Sequence, residues 1–486
     1  MNFRSIHRWL VLALALGVLP LPAAASKDRV IRYQLVGGSY LIDDCQVCGR
    51  PTLMWPMTGS FDLVFLEDGP LFTTYEVTNL QFLAGSGFWE HHVKGSGTYA
   101  IGGEFALQQF MRLQLDISDG FTNKPAFFTN QHTAFDRPWP MINVTLTQTN
   151  GTLLQTYHLN ICAAPLRDLW FSTATGFDSG KAQSPTNHIS HGDLLSFHGR
   201  VVKRQHELTA RLGIMPIVPD VGLDAVDVAP GGELLFSITQ KIFSERIGTL
   251  QHGDLLSIQG KIVKSNQQLL AGFGLGSTNI DAGLDAVQVL NDGVILFSIS
   301  TNLAASSGRR ISGGDILSDR GEIFRLFAHL MARFHPAQTN LDFGLNALFV
   351  WPHGEIWFST EKDFQDTMLG PVRAGDLLSD QGYRVFSNRE LVAGFAPLTD
   401  AADYGLDALF IVTDCRPAVA RPRLQDWTSF ANRRVLRWSG SGQVFQLERA
   451  DTPWGPYVPC SPIIPETAFE DALDQAGMSF YRVRQW

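Results

Sequence analysis

Long apolar runs are scarce in this chain. Beyond the first 25 residues no stretch approaches the roughly 20 apolar residues that a membrane-crossing helix needs, so no span is expected after the N-terminus. Charge is also sparse: only 17% of residues are Asp, Glu, Lys or Arg, and the net charge is -9. No segment interleaves Lys and Arg with aromatics, and the average field repels polyanions, which excludes nucleic acid as the expected partner. Familiar catalytic signatures are missing too. There is no Gly-x-Ser-x-Gly elbow, no His-Glu-x-x-His and no phosphate-binding loop ending in Lys-Ser or Lys-Thr; His206-Glu207 is followed by Ala210 where a zinc motif needs His. Cysteine is limited to five positions, an odd number, so a complete disulfide framework is excluded.

The N-terminus reads as an export signal. Arg4, His7 and Arg8 give a basic start, Trp9–Leu19 is apolar, and Ala23-Ala24-Ala25 offers a small-x-small cleavage site. Residues 1–25 are therefore expected to direct export in a bacterium, to the periplasm, the cell surface or the medium. An oxidising compartment permits disulfides. Cys45 and Cys48 are expected to form a local ring, with half a zinc site or a redox pair as the other readings. Cys415 and Cys460 are placed to staple the C-terminal region, and Cys162 is left as a buried thiol.

What the chain does contain is a repeat of 61 residues. Gly-Asp recurs at Gly192, Gly253, Gly314 and Gly375. Gly-Leu-Asp-Ala recurs at Gly222, Gly283, Gly344 (with Asn346 for Asp) and Gly405. An apolar pair followed by Phe-Ser ends at Ser172, Ser237, Ser298 and Ser359. Each unit holds two hairpin signals, the first turning at Pro230-Gly231-Gly232, Asn291-Asp292-Gly293 or Pro352-His353-Gly354, the second at Gly199, Gly260, Gly321 or Gly382. Two hairpins in series make a four-stranded meander, the blade of a propeller. The first unit lacks its Gly-Leu-Asp-Ala strand, and the last supplies a spare one at Leu406–Val412. The spare strand is expected to complete the first blade, closing the circle and removing two open sheet edges.

The expected architecture is all-β: a four-bladed β-propeller over 166–414, an N-terminal β-sandwich-like domain over 26–165, a linker over 415–426, and a small fibronectin type III-like module over 427–486. The order Gly-Leu-Asp-Ala, Phe-Ser, Gly-Asp-Leu-Leu-Ser resembles repeats in a set of large, uncharacterised exported bacterial proteins. The resemblance covers about half the chain, and it extends to Asp43-Asp44-Cys45 and the Phe480-Tyr481-Arg482 ending. It implies no activity, and no catalytic residue follows from it.

The candidate site residues come from the repeats. An Asp stands four positions before each loop Asp, giving Asp220 with Asp224, Asp281 with Asp285, Asp342 with Asn346, and Asp403 with Asp407. Strands one and three of a meander run the same way, so these loops share a face with Asp193, Asp254, Asp315 and Asp376. So many carboxylates on one rim repel unless paired, hydrogen-bonded or bound to a cation. One reading is calcium, which takes six to eight oxygen ligands; the other is that each Asp caps its own turn. No other cofactor is called for. Residues found in every unit, including the four Phe-Ser serines, read as architecture. His91-His92 on a strand point to opposite faces, and with His132 they read as scattered histidines. Trp55, Trp89 and Trp139 read as packing or as sugar-stacking rings, Trp170 and Trp357 as packing between blades. Three function classes stay open: an exported, non-enzymatic binding protein for a glycan, a cell-surface component or another protein; an extracytoplasmic enzyme acting on polysaccharide with its site in the propeller channel; and a purely structural surface protein whose last module docks into an assembly.

Overall fold

The structure is a computed structural model that describes residues 30–216, 218, 220–275, 280–338, 342–399, 401, 403–415, 420–430, 433–472 and 479–486. The expected export segment, 1–25, and part of the expected linker lie outside the described residues.

The first domain has nine strands: β1 (Val30–Leu35), β2 (Tyr40–Asp44), β3 (Leu53–Asp68), β4 (Phe72–Ala84), β5 (His91–Gly102), β6 (Gln108–Ser118), β7 (Asn123–Asn130), β8 (Ile142–Gln148) and β9 (Thr156–Ala164). They pair antiparallel in the order β1-β3-β2-β9-β8-β7-β6-β5-β4, and β3 also pairs with β4 while β1 pairs with β9. The expected sandwich of two sheets is therefore replaced by one ring-like sheet. The cause is β3. Its 16 residues reach β2 at one end, from Leu53 to Pro56, and run along β4 from Met57 to Asp68, so one strand joins what would have been two edges. Alternation fills the interior: on β6, Met111, Leu113, Leu115 and Ile117 face a core with Tyr33, Phe61, Phe82 and Tyr99, while Arg112, Gln114 and Asp116 face out.

Four four-stranded sheets follow. Three are simple meanders, with inner strands Val226–Ala229, Ala286–Val289 and Ala347–Val350. The fourth combines Asp168–Phe171, Leu194–Ser196 and Arg200–Lys203 with a strand from the far end of the repeats, Leu409–Val412. That strand pairs antiparallel with Asp168–Phe171, from Asp168 opposite Val412 to Phe171 opposite Leu409. Each inner strand touches the next, and Leu409–Val412 touches both Ala347–Val350 and Val226–Ala229, so the four sheets form a cycle. Trp170 and Trp357 are fully buried between neighbouring elements.

The repeated serines hold this cycle together. The hydroxyls of Ser172, Ser237, Ser298 and Ser359 donate to the carbonyls of Leu223, Leu284, Leu345 and Leu406, each in the following unit, at 2.7, 2.7, 2.9 and 2.8 Å. Each unit also carries two features that periodicity did not reveal. One is a short side hairpin, such as Ile242–Ser244 with Gly248–Leu250. The other is a single helical turn or slightly more, such as Asn266–Leu270.

The last domain comprises two three-stranded sheets, one of Arg423–Phe430, Arg433–Ser439 and Ala468–Ala472, the other of Phe445–Ala450, Val458–Pro459 and Phe480–Gln485. They share a core of Leu436, Trp438, Phe445 and Leu447. Cys45 and Cys48 form the expected disulfide. Cys460 is a thiol that donates to the Leu447 carbonyl at 3.4 Å, so the expected Cys415–Cys460 staple does not form; strand pairing already holds that segment. Cys162 is the expected buried thiol.

Candidate functional site

The inner strands all begin on one face of the cycle, called the upper face below. Three sets of acidic residues gather there, with different partners. The Gly-Asp carboxylates are fully engaged in chain reversal. One oxygen of Asp193, Asp254, Asp315 and Asp376 accepts the N–H three residues earlier, of Ser190, Gln251, Ser312 and Arg373, at 3.0–3.1 Å. The other accepts the N–H of Gln205, Asn266, Phe327 or Asn388, at 2.9–3.0 Å. Each of those residues is the first of a short helix, so one Asp closes a turn and also satisfies a helix N–H that has no internal partner.

The first Asp of each loop is engaged as well. Asp220, Asp342 and Asp403 accept from the loop glycines Gly222, Gly344 and Gly405 at 2.9, 3.0 and 3.0 Å. Their second oxygens reach back to the preceding unit: Asp403 takes the Gly375 N–H at 3.0 Å and Asp342 the Ser312 hydroxyl. Asp281 accepts from Gly253 at 2.9 Å and His252 at 3.2 Å. The loops need glycine because all four turn through positive φ, between 70° and 82° at Gly222, Gly283, Gly344 and Gly405.

The second Asp of each loop has a different setting. Asp224, Asp285, Asn346 and Asp407 converge where the inner strands start. Asn346 donates to Asp407 at 3.3 Å, and Ser300 donates to Asp285. Burial and the charges of Asp285 and Asp407 hold the Asp224 carboxyl well above its ordinary value. Burial pushes Asp285 up to about 7, against the Ser300 hydrogen bond. Burial also pushes Asp407 to about 7, with the Asp285 charge adding to it and the Asn346 amide opposing. Among the described residues, no arginine or lysine contributes to these shifts. At neutral pH this mouth holds carboxylates that repel one another and carry a partial complement of protons. As the side chains stand, no group of three or more His, Cys, Asp or Glu among the described residues is gathered closely enough to hold a metal ion.

The lower face handles buried acids differently. Asp168, Glu233, Val294 and Glu355 occupy one repeat position. Glu355 accepts from Trp357 Nε1 at 2.9 Å, Ser379 Oγ at 2.6 Å and Tyr383 OH at 2.5 Å, with His353 Nε2 at 3.4 Å from its other oxygen. Burial alone would raise its pKa, but these four partners together outweigh burial and bring it down to about 2. Asp168 takes Ser196 Oγ at 2.7 Å, Trp170 Nε1 at 3.0 Å and Arg200. Aligning the units on their Phe-Ser serines puts these acids in register, a signal the sequence reading passed over.

Asp414, just past the last inner strand, joins all three domains. It accepts the Arg32 N–H at 2.9 Å from the first domain, Arg167 Nη2 at 2.9 Å from the cycle, and Arg484 Nη2 and Trp486 Nε1, both at 2.7 Å, from the last. Burial raises its pKa, and the charges of Arg167 and Arg484 outweigh that and hold it below the ordinary value. Other contacts from the flanking domains also reach the lower turns or an outer strand. Gly231 donates to Gly442 at 2.8 Å and Gly37 donates to Val385 at 2.9 Å.

The remaining sequence candidates are dispersed. His91 is buried and packs at a tilt against Trp55, with ring centroids 4.6 Å apart, while His92 is exposed beside Glu90. His132 is exposed near Asp136, and Trp89 is 64% exposed. Trp139 stacks on Tyr75 and Tyr99.

No protein-family model matches the chain, and no curated protein does. Among solved structures, the extracellular domain assigned to a hybrid two component system of B. thetaiotaomicron aligns over 91% of this chain and 82% of its own at 7% identity, with a TM-score of 0.20. Two structures of another extracellular domain from that organism, described once as a one component and once as a hybrid two component system, align over 94% of this chain and 97% of theirs. Their identity is 7% and their TM-scores are 0.21 and 0.22. Likenesses this weak carry no argument about fold or ligand.

Proposed function

We propose that this chain is an exported, non-enzymatic binding protein in which a four-bladed propeller, closed by Leu409–Val412, is a platform for a glycan, a cell-surface component or another protein. The last domain is read as a fibronectin type III-like module, in keeping with its two three-stranded sheets around one core. The observation that carries the reading is the contrast in how side chains are used. The serines and most acids of the repeat are engaged in building the cycle, whereas Asp224, Asp285 and Asp407 meet at the upper mouth without a cationic partner among the described residues. Such a mouth favours a ligand that brings positive charge, and calcium at the same mouth belongs to the proposal.

Two experiments test it. A binding screen of the mature protein against glycans and bacterial surface preparations, with calcium and with chelator, is expected to give hits that weaken in high salt. Thermal melting with calcium is expected to exceed melting with chelator, since a ligand that binds only the folded state raises its stability; identical curves end the calcium proposal.

A second reading, a polysaccharide-degrading enzyme, draws on the same residues, because a carboxyl titrating near 7 is suited to donate a proton. Release of reducing ends by the wild type, abolished in Asp285→Asn, would favour it over binding alone.

A further inference from the structure

A groove of about 530 Å³ lies on the outer face of the first domain, across β4, β5 and β6. Its size is that of a ligand site. Strand pairing explains its shape. Thr74, Ala100 and Phe110 stand opposite one another on the three strands, and Thr98 pairs with Arg112 in the next row of the same face. The central strand contributes only the short side chains of Thr98 and Ala100 to the lining, so larger neighbours rise beside it. The turn before β4 closes one end, where the Leu71 carbonyl accepts the Gly103 N–H at 2.9 Å. We infer that this groove binds a neutral hexose ring of a glycan. The inference shares with the function proposed above only the idea of a glycan ligand, and it places that ligand on a different surface from the charged mouth.

The first observation is a pair of aromatic rings on the outside of the sheet. Phe72 and Phe110 both line the groove, are half-buried, and stand apart from the interior core of the domain. They meet edge to face with centroids 5.5 Å apart. That contact occupies one face of one ring, and a hexose offers a flat patch of C–H groups to pack on another.

The second is unspent charge. Arg32 and Arg50 of this domain pair with Asp62 and Asp43, and Arg137 lies over the Tyr383 ring. Arg112 is exposed in the groove, with Glu67 also in the lining. Neither side chain has a hydrogen-bond or ion-pair partner among the described residues.

The third is that these charges are of opposite sign. An anion meets Glu67 and a cation meets Arg112, while an acyl chain or apolar peptide covers both without pairing either. Hydroxyls both donate and accept. A ring carrying several of them can donate to Glu67 and accept from Arg112, with the Thr74 and Thr98 hydroxyls beside them.

The test is calorimetric titration of the full mature chain with cellotetraose, maltotetraose and mannotetraose, and with a tetramer of galacturonic acid as the charged control. At least one neutral tetrasaccharide is expected to bind, and more tightly than the charged one. Phe110→Ala and Arg112→Gln are each expected to weaken that binding about tenfold, by loss of the stacking surface and of a charge-assisted hydrogen bond. Arg112 is exposed, so its variant should melt as the wild type does and reports on binding alone. Phe121→Ser, at a residue 92% exposed on the turn after β6, should keep the wild-type affinity, and so should Asp285→Asn with Asp407→Asn. Failure of all three neutral sugars to bind, tighter binding of the charged tetramer, or wild-type affinity in either groove variant would overturn the inference. Binding lost in the Asp285 and Asp407 variants but kept in the groove variants would overturn it too, while leaving the mouth as the glycan site.

Discussion

The two faces of the cycle hold the same kind of residue in comparably buried settings and treat it in opposite ways. At the upper mouth Asp285 and Asp407 are 6% exposed, near other acids, and their carboxyls are pushed up to about 7. At the lower face Glu355 is 3% exposed and is pulled down to about 2. Burial penalises the charge in both places. The difference lies in the donors. Indole, two hydroxyls and imidazole converge on Glu355, and two guanidinium groups on Asp414, whereas Asp407 has an amide and another carboxylate for neighbours. Depth alone does not say whether an acid serves structure or is left available; the completeness of its donor set does.

The largest effect should come from breaking a completed set. Asp414→Ala leaves the half-buried Arg167 and Arg484 without their shared acceptor and removes the contact that joins three domains. A loss of ~3–5 kcal/mol is expected, as for other buried pairs deprived of one member, read as a lower denaturation midpoint in urea. A loss below about 1 kcal/mol would reduce this contact to the rank of a surface ion pair.

Glu355 comes next, and it brings a pH dependence. Its folded pKa is depressed, so its stabilisation is complete above its ordinary value of 4.5 and fades as pH falls towards about 2. At about 1.4 kcal/mol per pKa unit the term is worth ~3 kcal/mol. Glu355→Gln should flatten the acid limb of stability between pH 4.5 and 2. The upper mouth has the opposite sign. Asp285 and Asp407 have raised pKa values, so their contribution is full below the ordinary value of 3.8 and is lost as pH rises through about 7. Stability should therefore decline from about pH 3.8 to about pH 7 and level off above it, and Asp285→Asn with Asp407→Asn should reduce that decline. Melting curves across pH for the wild type and both sets of variants resolve the two limbs.

The smallest expected effect sharpens the comparison from the architectural side. Ser237→Ala deletes one of the four hydroxyl bonds between units and leaves the Leu284 carbonyl short of a donor. The cost should be ~1 kcal/mol, with no change in either pH limb. A shift in the upper limb would mean that the serine positions the mouth as well as the cycle.

The cycle was more legible in the sequence than the first domain, for a physical reason. Each unit must present the same serine, glycine and aspartate to its neighbour, so packing constraints repeat every 61 residues and survive as a written pattern. In the first domain no constraint repeats. β2, β5 and β7 carry too little apolar alternation to stand out, and the decision between two sheets and one rests on the length and bend of β3, which local residue choice does not announce. Within the candidate site, the sharing of a face by the Gly-Asp turns and the loops followed from strand direction alone. Which member of each Asp pair is engaged did not follow, because that depends on backbone N–H groups brought in from the preceding unit. Asp414 was equally hidden, because its donors come from elements far apart in the chain; the donors to Glu355 lie within one unit, but only folding brings Ser379 and Tyr383 onto it.

The most direct test of the account is a carbon-13 titration of the aspartate carboxyls in the folded protein, with Asp285 and Asp407 assigned by comparison with their Asn variants. Midpoints near 7 are expected for both. Midpoints at or below the ordinary aspartate value would mean that the upper mouth already has its donors, and would contradict the reading of it as a site that awaits a positively charged ligand.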